Sequence, residues 1–105
     1  MNYLEIFEEA SLEAQSETFE VEGRDIMIYP CGYAWISFAG GKRDPIGKEF
    51  QKLDLAYYDT YRKRYIIQIY EYNQSMNHKE THARILSKIL SEKLNVEVRY
   101  GSRID

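Results

Sequence analysis

The segment "YNQSMNHKE", residues 72–80, gathers many of the side chains in this sequence best suited to chemistry: the amides Asn73, Gln74 and Asn77, the Ser75 hydroxyl and the His78 imidazole. It joins a run of tyrosines and isoleucines to a long helical pattern. It therefore reads as a strand-to-helix turn, where ligands of α/β proteins meet the free N–H groups and positive end of a helix. Asn77 and Glu80 have capping-box spacing, which makes Asn77 the expected cap and leaves Asn73, Gln74 and Ser75 either as turn residues or as a polar recognition edge. His78 and His82 stand four apart on one side of that helix, a spacing that suits a metal. The sequence supplies no third and fourth ligand, so neither a metal nor any other cofactor is expected. Cys31, the one cysteine, is a nucleophile where a base or helix N-terminus activates it and otherwise a small apolar residue at a strand start. No catalytic residue is assigned. A cysteine-dependent enzyme or small-ligand site around Cys31, Gln74, Ser75 and Arg103 stands as an alternative reading.

Two further stretches carry charge in a pattern. "AGGKRDP" offers glycines, Lys42, Arg43 and a helix start, but it lacks P-loop spacing and places Asp44 where an anion would sit. "YYDTYRKRY" interleaves Tyr57, Tyr58, Tyr61 and Tyr65 with Arg62, Lys63 and Arg64, the combination that stacks bases and neutralises phosphates in single-strand binders. Tyrosine is also enriched at protein interfaces, because it offers contact area at low entropic cost, and the chain has ten. The net charge of −3 argues against nonspecific nucleic-acid binding. A protein-binding surface that includes Tyr57 and Tyr58 is the first expectation, and nucleic-acid binding through Arg62, Lys63 and Arg64 the second.

The charge is divided along the chain. Residues 1–23 hold seven glutamates and no lysine or arginine, while residues 24–105 are net positive by four. The acidic segment either lies on its own basic body or is offered to a basic partner. At 105 residues with 44% hydrophobic composition, the chain has the size of one domain with one core. Within it, residues 1–22 form an acidic helix and connector and 23–105 an α/β body. The lone cysteine fits a reducing compartment. An acidic N-terminus and the lack of a long apolar run give no secretory or membrane signal, so a cytoplasmic protein is expected.

Local patterns order the elements that must position these groups. Asn2 and Glu5 cap a helix expected to end near Gln15. "RDIMIYP", 24–30, has β-favouring residues and is the first expected strand. "CGYAWISFAG" is the clearest strand, with Ala34, Ile36 and Phe38 on one face and Tyr33, Trp35 and Ser37 on the other. Apolar bulk on both faces suggests a central strand covered at least partly on each side. Asp44 and Pro45 start a short helix to about Leu53, which Gly47 weakens. A turn near Asp59 precedes a strand over 65–72. Ala83, Leu86, Ile89, Leu90 and Leu94 stripe a helix from Asn77, and "NVEVRYGS" closes the chain as a strand with Val96, Val98 and Tyr100 inward. Four strands and three helices give a two-layer α/β (α+β) sandwich.

"CGYAWISF", "NQS" before the long helix and the closing "GSRID" together resemble a group of small tailed-bacteriophage proteins with CGFAW-like and terminal SR-x-D segments. The likeness spans residues 31–38 and 70–105, and this chain has a shorter approach to Cys31. It implies a phage origin and action in the bacterial cytoplasm, with no implied chemistry. The matching positions Cys31, Trp35, Gln74, Ser75, Ser102, Arg103 and Asp105 sit at strand ends or turns, where Arg103 is expected either to clasp the Gln74–Ser75 turn or to meet a ligand. By analogy with small phage accessory proteins, the expected function is non-enzymatic binding that modulates or inhibits a host defence protein. The expected partner is a host or phage protein, or a second copy of the chain.

Overall fold

A computed structural model describes residues 1–104. Three helices pack on one face of a four-stranded antiparallel sheet, in the element order α1 (Tyr3–Glu22), β1 (Gly32–Phe38), α2 (Pro45–Lys52), β2 (Tyr57–Asp59), β3 (Arg64–Gln68), α3 (Met76–Leu94) and β4 (Val98–Ile104). The sheet order is β2-β3-β1-β4. After α1 the chain is therefore a β-α-β-β-α-β unit of the split β-α-β kind, its two crossovers carried by α2 and α3. No helix among the described residues is long and apolar enough to cross a membrane.

α1 begins as expected, with Asn2 Oδ1 accepting from the Glu5 N–H at 3.1 Å. It runs on past Gln15 to Glu22, because Ala10, Ala14 and Thr18 continue one buried stripe at steps of four. Thr18 takes the place of an apolar residue by donating its hydroxyl hydrogen to the Ala14 carbonyl at 2.6 Å, which hides the stripe from a hydropathy pattern. Segment 24–30 forms no strand. Asp25 Oδ1 accepts from the Met27 N–H at 3.0 Å, closing an Asx turn that withdraws this donor from any ladder. Met27 and Ile28, the apolar residues that suggested a strand, are exposed.

β1 lies between β3 and β4, pairing Ile36 with both Ile67 and Tyr100. Ala34, Ile36 and Phe38 point into the core, where Phe38 stacks on Phe50 of α2 with ring centroids 5.4 Å apart. Tyr3 and Phe7 of α1 meet the same Phe50 ring at 5.7 and 5.8 Å, so one side chain joins α1, α2 and β1. α2 starts where expected, with Asp44 Oδ1 accepting from the N–H groups of Ile46 and Gly47 at 2.9 and 3.0 Å. Gly47 has a packing reason, since a Cβ there would meet the Tyr65 ring at 2.4 Å. It lets α2 close onto β3.

The strand expected over 65–72 starts at Arg64 and stops at Gln68, and a short β2 pairs with it across a hairpin. Asp59 builds the turn: Oδ1 accepts from the N–H groups of Tyr61 and Arg62, both at 2.9 Å, and Oδ2 from Arg62 Nη1 at 2.8 Å. Those hydrogen bonds, led by the Arg62 N–H, hold the Asp59 carboxyl below the usual carboxylate range, against an opposing effect of burial. Beyond Gln68 the backbone turns through positive φ at Tyr72 and Asn73, +70° and +54°.

The cap of α3 is Ser75, whose Oγ accepts from the His78 N–H at 3.4 Å. Asn77 is one residue inside the helix. Ala83, Leu86, Leu90 and Leu94 are buried as expected, with Ile89 at the margin. In β4, Val98 is buried, while Tyr100 shares its face at the open edge and is 46% exposed.

Both histidines of α3 are fully buried. His78 Nε2 lies 2.8 Å from the Gly23 carbonyl oxygen, which can only accept, so that nitrogen carries the proton. Nδ1 then accepts from the Ser75 hydroxyl at 2.7 Å. This tie joins the end of α1 to the start of α3 across 55 residues. His82 Nδ1 pairs with the Tyr72 hydroxyl at 2.5 Å. Among the described residues no three histidine, cysteine or carboxylate side chains are grouped to hold a metal.

Burial raises the Tyr72 pKa from 10.0 to about 12, with the Thr18 hydroxyl opposing and the Glu71 charge adding to the rise. The folded state therefore holds this proton more tightly than the unfolded state. Its stabilising effect is complete below pH 10 and is lost as pH rises towards about 12. Urea unfolding between pH 9 and 12 should show a steeper alkaline loss for the native chain than for Tyr72→Phe. Parallel curves would remove Tyr72 as the cause.

Candidate functional site

The pleat that sends Ala34, Ile36 and Phe38 into the core sends Tyr33, Trp35 and Ser37 to the face that carries no helix. Cross-strand register adds Gln68 beside Trp35, Tyr57 beside Ile66, and Arg99, Gly101 and Arg103 opposite Ser37, Trp35 and Tyr33. No second layer covers this side of β1. Cover comes from side chains, since the Arg62 guanidinium lies 4.4 Å from the Trp35 ring centroid. Trp35 itself lies flat on Gly101, where a Cβ would meet the indole at 2.6 Å. Only glycine there lets the ring lie down on the sheet.

Tyr33, Trp35, Arg62, Gln68 and Arg103 line a shallow depression of about 210 Å³ at the centre of this face. Arg103 lies 5.7 Å from the Tyr33 ring centroid, so the depression holds two guanidinium–aromatic pairs. Gln68 Nε2 donates to the Tyr57 hydroxyl at 2.9 Å, which fixes the outer tyrosine beside it. Arg64 is anchored, its Nε donating to Ser37 Oγ at 2.9 Å. Burial, followed by the like charge of Arg99, lowers the Arg64 pKa from its usual value. The face thus presents flat rings and planar donors, the equipment for recognition by stacking and charge.

The residues singled out by sequence fall into three groups. Trp35, Tyr57, Arg62, Arg64 and Arg103 meet on the open face, together with Tyr33 and Gln68, whose signal was the alternation along β1 and β3. Tyr58 lies on the opposite face, its ring 5.2 Å from that of Tyr65. Lys63 stands at the hairpin turn with φ +56°. Cys31, Gln74 and Ser75 lie at the start of β1, where Cys31 bridges to Ser75 and the Gly32 N–H donates to the Gln74 carbonyl at 3.1 Å. The Cys31 side chain is exposed, whereas the Ser75 hydroxyl is buried against His78. Two serines tie β4 to α3: the Ser102 hydroxyl is hydrogen-bonded to the Glu80 carboxylate, and Ser91 Oγ accepts from the Val98 N–H at 3.0 Å. Asp105 lies outside the described residues.

Six of the seven α1 glutamates are exposed, and among the described residues none comes within ion-pair distance of a cation. The exposed surface of α1 is therefore acidic while the sheet face is rich in arginine. These features define a split β-α-β sandwich with one helix-free, aromatic and cationic sheet face. Comparison with known protein families, with curated proteins and with solved structures finds no match.

Proposed function

We propose that this chain is a non-enzymatic binding module of the small phage accessory kind, and that its open sheet face takes a single-stranded nucleic acid. The observation that carries the reading is the depression between Tyr33, Trp35, Arg62, Gln68 and Arg103, which joins two ring surfaces to two guanidinium groups. An unpaired base stacks here on the outer surface of the Arg62 guanidinium, which the Trp35 ring holds flat from beneath, or on Tyr33, and phosphates pair with the arginines at the rim. A four-stranded sheet face bearing aromatics is how RNA-recognition modules stack two or three bases, an analogy of architecture. The acidic α1 is consistent with this use, because its charge repels a phosphate backbone from that helix.

Fluorescence anisotropy with a labelled 12-nucleotide single strand tests the reading. Arg103, with Arg62 and Arg99 exchanging Asp59 and Glu97 for phosphate, provides at most roughly three phosphate contacts, so log K should fall against log salt with a slope no steeper than about −2. Absence of any shift at low salt would remove the proposal.

A second reading keeps the module but gives it a protein partner, a host protein whose activity it modulates or inhibits. The unpaired α1 carboxylates favour it, together with the exposed Leu12 and Val21 on the same helix. Reversing the charge of Glu9, Glu13 and Glu17 should abolish capture of that partner from host lysate. Capture that survives the reversal would exclude α1 as the docking surface.

A further inference from the structure

Two buried side-chain polar atoms among the described residues lack a hydrogen-bond partner, Ser11 Oγ and His82 Nε2. Both line the same cavity, of about 260 Å³, on the helix side of the molecule. Buried polar groups are normally satisfied, so two orphans facing one space are an unusual coincidence. His82 is 0% exposed. Its Nδ1 is engaged by Tyr72, and Nε2 is the nitrogen left to face the cavity, 3.8 Å from Glu71 Oε2.

The walls of the space are apolar, from Phe7 of α1, Leu55, Ile67 and Leu86 of α3. Its charged lining is acidic, from Glu71 and Asp54. A second groove, of about 300 Å³, shares Phe7, Ser11 and Glu71 with it and continues past Glu8. A single water accounts for about 30 Å³ of liquid volume, so the cavity has room for a molecule of several heavy atoms. Burial lowers the His82 pKa, opposed by the Glu71 charge, which favours the neutral imidazole. No cationic side chain is present in the lining to receive an anion.

We propose that this cavity binds a small primary ammonium carried on a short apolar body. An ammonium has three donors and no acceptor. Glu71 supplies a carboxylate to it, Ser11 a hydroxyl oxygen, and His82 Nε2 a lone pair. The Tyr72 hydroxyl can accept as well as donate, so the His82 proton can sit on Nδ1 and leave Nε2 as the acceptor. The hydrocarbon body lies against Phe7, Leu55 and Leu86, where it removes apolar surface from water.

Side-chain NMR of the full chain tests this, following His82 during titration with n-hexylamine, 1-hexanol and hexanoate. Hexylamine should give saturable shifts at His82 and bind at least tenfold more tightly than hexanol, with hexanoate weakest. Glu71 is partly exposed, so Glu71→Gln keeps the fold, which the same spectrum verifies. In that variant hexylamine should weaken at least tenfold while hexanol is unchanged. Ser11→Ala should weaken hexylamine as well. Equal binding of amine and alcohol, tighter binding of hexanoate, or no saturable shift at His82 with any probe would each overturn the proposal, the last by showing that the cavity holds only solvent.

Discussion

Phe50→Ala lowers the unfolding free energy by about 3–5 kcal/mol, the usual cost of deleting a large buried ring and leaving a partly collapsed cavity. Phe50 is 0% exposed and stacks on Phe38, with Tyr3 and Phe7 closing around it. The three neighbours come from two elements remote in sequence, so no short rearrangement refills the space. For a domain of this size such a loss moves the thermal midpoint by on the order of 15–25 °C. Differential scanning calorimetry gives the answer. Phe50→Leu, which keeps most of the volume, should recover more than half of the loss. A Phe50→Ala midpoint within 5 °C of the native chain would mean that α1, α2 and β1 do not share one core.

The second large effect belongs to the open face. Trp35→Ala should weaken single-strand binding roughly 5- to 150-fold, the about 1–3 kcal/mol of one stack, because the base stacks on the Arg62 guanidinium that the indole supports. Trp35 also supports Arg62, so the variant removes a ring and releases the guanidinium that lies 4.4 Å from its centroid. Trp35→Phe keeps a smaller ring over Gly101 and should retain most of the affinity, which separates stacking from simple loss of structure. Arg62→Ala should lower affinity and reduce the salt slope by about 0.7, one phosphate contact on a single strand. Charge reversal at Glu13 and Glu17 on α1 should leave this binding intact or tighten it. If Trp35→Ala bound as well as the native chain, the ring would be only sheet packing and the stacking model would fail. Loss of binding on α1 reversal would move the contact to the helix layer.

These two expectations rest on different kinds of information. The core that Phe50 anchors was readable in outline, because Asp44 and Pro45 announce the start of α2 and the alternation of Ala34, Ile36 and Phe38 announces the buried face of β1. Both signals are local, and local signals survive in any fold that buries an amphipathic element. The open face was half readable. Alternation put Tyr33 and Trp35 on the second face of β1, but it did not bring Arg62, twenty-seven residues beyond Trp35, onto the indole, or Arg103 onto Tyr33. Those pairs exist because β1 is central, flanked by β3 and β4.

The departures from pattern have the same origin. Segment 24–30 has strand-forming residues but no neighbour to pair with, and the Asp25 side chain offers its backbone a local turn instead. β2 has only three residues, too few for a pattern, and it exists because β3 pairs with it. The cap of α3 moved from Asn77 to Ser75 because Ser75 also serves His78, whose other nitrogen is held by the carbonyl of Gly23.

The sequence by itself determined the three helices, the strands β1, β3 and β4, the capped starts of α1 and α2, the buried stripe of α3 and the separation of acidic from basic segments, since each depends on neighbours within a few turns or pleats. Tertiary structure decided strand partnership, the length of α1, the joining of Tyr33, Trp35, Arg62, Gln68 and Arg103, and the burial of both histidines. Those depend on contacts between residues far apart in the chain, whose cost in chain entropy is met only when the whole sheet and its helices assemble together.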